Sequence, residues 1–261
     1  WRGYGEILPT FSGLESYYRF GWDPVFIRAS VNTLLYSGIV TAGQVLLGLI
    51  LAALLHTQVR GWKIFRSIFF FPVLLTSAVT AVLWSYIYNP IIGLLPNFLR
   101  TIGLGSLAFG YLGRPETALF AMMLKDIWQG SGFAMIILLA AFTSVPEAIY
   151  DSARIDGASP FQTFRRISLP LIRNVVAVLI ALQIMGNLKV FDTIWVMTGG
   201  TGGPGSSTFS LATYAYYIVF GLSGVTLEFG YGSAIALVLL VVVFIVSLVY
   251  LRYIRLGELK L

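Results

Sequence analysis

Thr76, Asp126, Gln129, Gln183 and Asn187 combine hydrogen-bonding capacity with a place inside long apolar runs of this 261-residue chain. Amides and hydroxyls both donate and accept, so a set of them suits a polyhydroxylated solute. Asp126 follows Lys125, and Lys189 precedes Asp192 by three residues. Each couple reads either as a structural internal pair or as ligand-binding charge, since an unpaired charge in lipid is costly. Trp128 offers a stacking face, and equally a packing or interfacial aromatic. Catalytic groups are scarce. There is no cysteine, hence no thiolate nucleophile, thiolate metal site or disulfide framework. His56 is the one histidine, too few for a metal cluster, and its place at the end of an apolar run points to a solvated or interfacial residue. A glycine-rich stretch, Gly199–Gly205, invites a phosphate-loop reading. None of the four lysines (Lys63, Lys125, Lys189, Lys260) has the Gly-Lys-Ser/Thr context that reading needs. The chain is not expected to hydrolyse ATP or to be an enzyme.

The scaffold around these groups is a membrane protein. Hydrophobic residues make up 57% of the chain and charged residues 11%, against about 25% charged in soluble domains. No Asp, Glu, Lys or Arg occurs between Arg28 and Arg60, Arg66 and Arg100, Asp126 and Glu147, or Glu228 and Arg252. Each gap approaches or exceeds the roughly 20 residues that cross a bilayer as a helix. The ten-residue alternation of a membrane barrel is absent, so the fold class is all-α, a polytopic transmembrane bundle. A soluble α/β enzyme is excluded. Five spans are expected, at 26–55, 64–88, 117–141, 171–197 and 228–251, in a single transmembrane domain, 1–261. Three of their midpoints fall near Thr76, Gln129 and Gln183, with Asp126 and Asn187 within about one turn, the depth at which transport paths place polar groups.

The net charge of +6 does not imply nucleic acid, because the cations flank the apolar runs. Ten of them (Arg60, Lys63, Arg66; Arg154, Arg165, Arg166, Arg173; Arg252, Arg255, Lys260) fall on one side of the expected topology. Five (Arg2, Arg19, Arg28, Arg100, Arg114) fall on the other. The ten-cation side is therefore cytoplasmic, with the C-terminus. Five spans then put residue 1 outside, yet residues 1–24 have no apolar leader segment, so a further helix upstream is expected. The external loop 89–116, with three prolines, is expected along the membrane surface. Residues 198–227 open with Thr-Gly-Gly-Thr-Gly-Gly-Pro-Gly, a flexible turn segment.

The most informative stretch is the loop 144–172. Ser144 and Glu147 have the spacing of a capping box, and Pro146 suits a first helical turn. The helix runs to about Asp156, Gly157 supplies the left-handed terminating residue, and Ser159-Pro160 restarts a second helix. Glu147, Asp151 and Arg154 line one side; Ile149 and Ala153 line another; Phe161 and Phe164 form an apolar stripe. Two readings stay open: a solvated connector packed on its own bundle, or an amphipathic element that docks into a partner's groove.

From Asp151-Ser152-Ala153 through Gly157 and Ile167 to Leu169-Pro170, the pattern over 20 positions resembles the "EAA" loop of binding-protein-dependent ABC importer permeases. Asp151 stands where that family usually has Glu. Gly13-Leu14-Glu15-Ser16-Tyr17, Asn32-Thr33-Leu34, Val190-Phe191-Asp192 with Thr198-Gly199-Gly200, and Phe229-Gly230-Tyr231-Gly232-Ser233-Ala234 are similar to the carbohydrate-uptake branch, the maltose and glycerol-phosphate permeases. The resemblance implies a type I importer permease fold with six or more spans in a prokaryotic cytoplasmic membrane. It implies as partners a second homologous permease subunit, two cytoplasmic ATPases, an external solute-binding protein, a sugar and membrane lipid, with no nucleic acid. It implies no cofactor on this chain, ATP and Mg being held by the ATPase. It assigns ATPase coupling to Glu147, Asp151, Ala153, Arg154, Gly157, Phe161, Ile167, Leu169 and Pro170, the loop acting as a lever. It assigns the substrate path to Thr76, Asp126, Gln129, Gly130, Phe133, Gln183 and Asn187. The side chains are not those of the maltose permease. Another solute, such as glycerol phosphate or a polyamine, remains an alternative, although no Arg falls at a span centre; so does a secondary transporter or membrane enzyme.

Overall fold

Asp23 starts the first long helix: its Oδ1 accepts from the amides of Val25 (2.9 Å) and Phe26 (3.2 Å), and Pro24 occupies the first helical position. The computed structural model describes residues 13–57, 60–221 and 228–258; Arg2 and Lys260, counted above for orientation, lie outside them. A short helix α1 (Glu15–Arg19) leads to α2 (Pro24–His56), whose 33 residues exceed a bilayer crossing. Next come α3 (Trp62–Leu74), α4 (Ser77–Ile87), α5 (Leu94–Thr101) and α6 (Pro115–Thr143). The loop follows as α7 (Glu147–Ile155), α8 (Pro160–Thr163), a π turn over Phe164–Ser168 and α9 (Leu169–Leu171). The remainder is α10 (Arg173–Asn187), α11 (Asp192–Thr198), α12 (Leu211–Phe220) and α13 (Phe229–Glu258). No strand occurs among the described residues.

Among the described residues, four stretches are long and apolar enough to cross a membrane: Pro24–His56, Pro115–Thr143, Arg173–Thr198 and Phe229–Tyr250. They match four of the five expected spans. The second expected span, 64–88, is not one helix. It is α3 and α4, bent by 101°. Pro72 lies inside α3, and proline removes one helical donor. Leu75 and Thr76 then turn extended (ψ 143° and 148°), and the Thr76 hydroxyl caps α4 by accepting from Val79 N at 3.4 Å. The fourth span is also interrupted, at 188–191 between α10 and α11.

The core forms three layers along the bundle. Ala52, Leu55, Leu138, Phe142 and Leu179 pack at the end that carries α7–α9. Tyr36, Met122, Met123 and Ile194 pack in the middle, and Phe26, Phe209, Tyr214, Tyr231 and Ile235 at the opposite end.

Past the glycine-rich opening of 198–227 the chain is packed and then helical, and 222–227 lie outside the described residues. Thr208, Phe209 and Ser210 are buried, and α12 follows them. Irregular backbone at that depth needs partners. Asn32 Nδ2 donates to the carbonyls of Ser207 (2.8 Å) and Phe209 (3.0 Å), while Thr33 Oγ1 accepts from Leu211 N (2.9 Å). The Asn-Thr pair inside the first apolar run thus anchors the segment that leads into α12.

The end opposite the loop is clasped by charge. Asp23 Oδ2 accepts from the hydroxyls of Tyr214 (2.7 Å) and Tyr231 (2.6 Å), and Arg19 pairs with Glu228 and lies 4.2 Å from the Tyr231 ring centroid. Burial alone would push the Asp23 carboxyl up, but the two phenols and the two capping amides together hold it below its ordinary value. A carboxyl lowered by folding adds stability that is complete above its unfolded value of about 3.9 and is lost as pH falls through the lower folded value. Acidification below about pH 4 is therefore expected to loosen α12 and α13 from the start of α2. Hydrogen exchange at the start of α2 and at 211–220 should rise there, and Asp23→Asn should show that rise already at neutral pH. Equal exchange at pH 7 in the Asp23→Asn variant and the unaltered protein would contradict this.

Candidate functional site

At mid-length of α6 the side chains converge on a cavity of about 260 Å³. Gln44 from α2, Ser77 from the start of α4, Asp126, Gln129 and Gly130 from α6, and Asn187 with residues 189–193 from the α10–α11 break line it. Both interruptions in the spans therefore open onto one space. Broken helices at membrane depth occur where they line such a cavity, because their freed backbone groups need polar partners.

Those partners can be named. Gln129 Nε2 donates to the Leu75 carbonyl at 2.9 Å, satisfying the acceptor freed at the α3–α4 bend, and its Oε1 accepts from Thr80 Oγ1 at 2.8 Å. Asn187 Nδ2 donates to Thr41 Oγ1 and Gln44 Oε1, both at 3.0 Å, and Gln44 Nε2 donates to the Asp126 carbonyl at 2.9 Å. Gly130 makes room for Gln44: a Cβ at 130 would lie 2.1 Å from Gln44 Nε2.

Behind the cavity wall, Lys125 is fully buried and its Nζ lies 2.8 Å from Asp126 Oδ1. The same ammonium donates to Ser77 Oγ (2.9 Å) and Thr193 Oγ1 (3.0 Å). Asp126 also accepts from Tyr36 Oη and lies within 3.0 Å of Thr193 Oγ1. Lys125 and Asp126 thus form an ion pair inside a network that ties α2, α4, α6 and α11. Lys189 and Asp192 form none among the described residues and are both exposed.

Of the seven residues assigned to the path, Asp126, Gln129, Gly130 and Asn187 line the cavity. Thr76 is exposed at the cap of α4, and Phe133 is exposed on α6, outside the lining. Gln183, one turn below Asn187, is half-buried, and its Nε2 has no partner. Sequence reasoning passed over Tyr36, Thr41, Gln44, Ser77 and Thr193. The signal for Thr41 and Gln44 was their depth in the first apolar run.

The loop forms helix, turn, helix. The Ser144–Glu147 capping box does not form: Pro146 is the residue before α7, with no side-chain cap, and Ser144 Oγ turns back to the Ala141 carbonyl at 2.8 Å. Gly157 has φ +76°, the left-handed turn expected of it. Ser159 and Gln162 make a reciprocal capping box, with Ser159 N donating to Gln162 Oε1 at 2.8 Å. Ala153 is buried and Ile167 and Leu169 partly so, and Phe164 sits 6.1 Å from Phe142 of α6. Glu147, Asp151, Arg154, Gly157 and Pro170 are exposed, with Arg154 Nη1 3.0 Å from Asp151 Oδ1. Ile155 is 86% exposed and Phe161 67%. His56 is half-buried at the end of α2, its ring 5.3 Å from that of Tyr150 on α7.

The profile of the family described as binding-protein-dependent transport system inner membrane component matches residues 44–255. A probable ABC transporter permease protein of Pyrococcus horikoshii is 40% identical over 243 residues, covering 92% of this chain and 80% of that one. The trehalose/maltose transport system permease protein MalF of Thermococcus litoralis is 33% identical over 228 residues, covering 87% and 74%. Among solved structures, a bacterial alginate ABC transporter in complex with an alginate pentasaccharide-bound periplasmic protein superposes with a TM-score of 0.79 at 27% identity, covering 91% of this chain and 81% of that one. The chain belongs to the family of inner-membrane components of binding-protein-dependent transport systems, and is a permease subunit of an ABC importer.

Proposed function

We propose that this permease forms half of the translocation path of an ATP-driven sugar importer. It pairs with a second homologous permease subunit, receives solute from an extracytoplasmic binding protein, and is driven by two ATPases that hold ATP and Mg outside this chain. The observation that carries the reading is the loop. Two large apolar side chains, Ile155 and Phe161, stand exposed on either side of the Gly157 turn, while Tyr150 of the same helix packs 5.3 Å from the His56 ring at the end of α2. Exposed apolar groups on a rigid, charged element mark a partner surface. The partner is the ATPase, and Glu147, Asp151, Arg154, Gly157 and Phe161 form the seat. The cations beside the apolar runs support a cytoplasmic place for this end and for the C-terminus, in a prokaryotic cell like those of the relatives named above.

A sugar is supported by the names of the relatives and by a cavity lined with amides, hydroxyls, the carboxylates of Asp126 and Asp192 and the ammonium of Lys189. Such a lining can both accept from and donate to sugar hydroxyls. Thr76, Phe133 and Gln183 join the four cavity residues as the helices rock between inward- and outward-open states, and the partnerless Gln183 amide is free for a ligand. Uptake assays on the reconstituted importer test this. Asn187→Ala and Gln183→Ala are each expected to raise the apparent KM or lower the rate by roughly five- to tenfold, the worth of one net hydrogen bond. Unchanged affinity and rate in both variants would remove them from the path.

A further inference from the structure

A second cavity, of about 180 Å³, opens at the loop end, between the last turn of α2, the first turns of α3 and the last turns of α6. Leu55, Ile136 and Leu139 make its apolar floor, and His56, Trp62 and Arg66 line its rim. Arg66 and the neighbouring Lys63 are exposed and in no ion pair among the described residues. The sequence offers them little acid: no Asp or Glu occurs between Asp23 and Glu116, or between Asp126 and Glu147. Trp62 has the place of an aromatic at a membrane–water interface, with Lys63 Nζ 5.9 Å from its ring centroid.

One cleft thus joins hydrocarbon below to unpaired cations above. A small inorganic anion would leave the floor unfilled, and an apolar peptide would leave Arg66 unpaired. An acidic phospholipid answers both: its phosphate meets Arg66 and Lys63, and an acyl chain lies along Leu55, Ile136 and Leu139. Basic pockets between transmembrane helices on the cytoplasmic side hold anionic headgroups for this reason. We propose that this cleft binds one anionic phospholipid of the cytoplasmic leaflet, a choice of leaflet that rests on the orientation given under Proposed function. His56 links the site to the loop, since the same ring packs against Tyr150 of α7. A lipid seated here would brace the first helix of the loop from below.

The test is lipid retention by the purified full-length protein with the subunits that accompany it, read by native mass spectrometry against phosphatidylglycerol and phosphatidylcholine. The unaltered protein is expected to keep one phosphatidylglycerol in preference. Arg66→Gln should weaken that retention about fivefold, the factor for one basic side chain at an anionic surface, and Arg66→Lys should restore most of it. Ala140→Phe, at an exposed lining position, should abolish it by filling the cleft. Equal retention of both lipids, or phosphatidylglycerol retention unchanged in both Arg66→Gln and Ala140→Phe, overturns the proposal. So does an Ala140→Cys variant, unique in a cysteine-free chain, that cross-links to a protein subunit instead of a lipid. No nucleotide or uptake enters the readout, so a failure of ATPase coupling would leave this result standing on its own.

Discussion

Gly157→Ala is expected to cut coupled uptake and transport-stimulated ATPase by five- to thirtyfold while membrane insertion and amount of protein stay unchanged. A Cβ at 157 meets nothing within 4 Å, so the substitution creates no clash. Within this chain its cost is conformational. At φ +76° an L side chain is penalised by roughly 1–2 kcal/mol, which corresponds to that five- to thirtyfold shift against the turned loop. The turn sets the angle between α7 and α8, and with it the spacing of Ile155 and Phe161. Asn tolerates the left-handed region better than Ala, so Gly157→Asn should keep more activity than Gly157→Ala, and Gly157→Leu should fall at or below the Ala variant. The order Asn above Ala is specific to a backbone effect. Ranking by side-chain size, or normal uptake in all three variants, would contradict the lever.

Lys125→Met is expected to have the largest effect on folding. The ammonium is fully buried and reaches Asp126, Ser77 and Thr193 within 3.0 Å. Met keeps the length and apolar stem but leaves Asp126 without its cation. Removing one partner of a buried pair costs about 3–5 kcal/mol, and the same ammonium donates to the Ser77 carbonyl at 3.3 Å, beside the α3–α4 bend. Thermal unfolding in detergent should show the variant strongly destabilised. Lys125→Met with Asp126→Asn removes both charges and should recover most of the loss, a coupling that a double-mutant cycle isolates. A single variant as stable as the unaltered protein would mean that the pair does not hold the site together.

How far the sequence specified this molecule can be judged from particular residues. The spans were legible because charge-free runs have no soluble use at this length. The bend at Leu75–Thr76 was not, since Pro72, Thr76 and Ser77 add little polarity to an apolar run; the signal was positional, a proline followed four residues later by a capping residue. Asn32 and Thr33 stood out only as part of a family-like motif, and their structural role was not legible because the backbone they satisfy lies some 175 positions away. The Gly157 turn and the Ser159-Pro160 restart were legible since both depend on local chemistry. The Ser144–Glu147 box failed on the same local level: Pro146 took the capping position and the hydroxyl found a carbonyl of α6. Depth in the span also picked out Asp126, Gln129 and Asn187, which line the cavity. The same criterion carried to α2 reaches Gln44, which bridges Asn187 to the Asp126 backbone. Tertiary pairing of that kind has no periodicity to betray it.

If α7, Gly157 and α8 form the joint through which a cytoplasmic ATPase moves the bundle, that joint must touch the ATPase. Because the chain has no cysteine, Phe161→Cys places one thiol on that joint. In inverted membrane vesicles carrying the whole importer, the account predicts a cross-link from position 161 to an ATPase subunit, with a yield that changes when ATP is added. Labelling of that thiol by a membrane-impermeant maleimide from outside intact cells, with no ATPase adduct in vesicles, would contradict it.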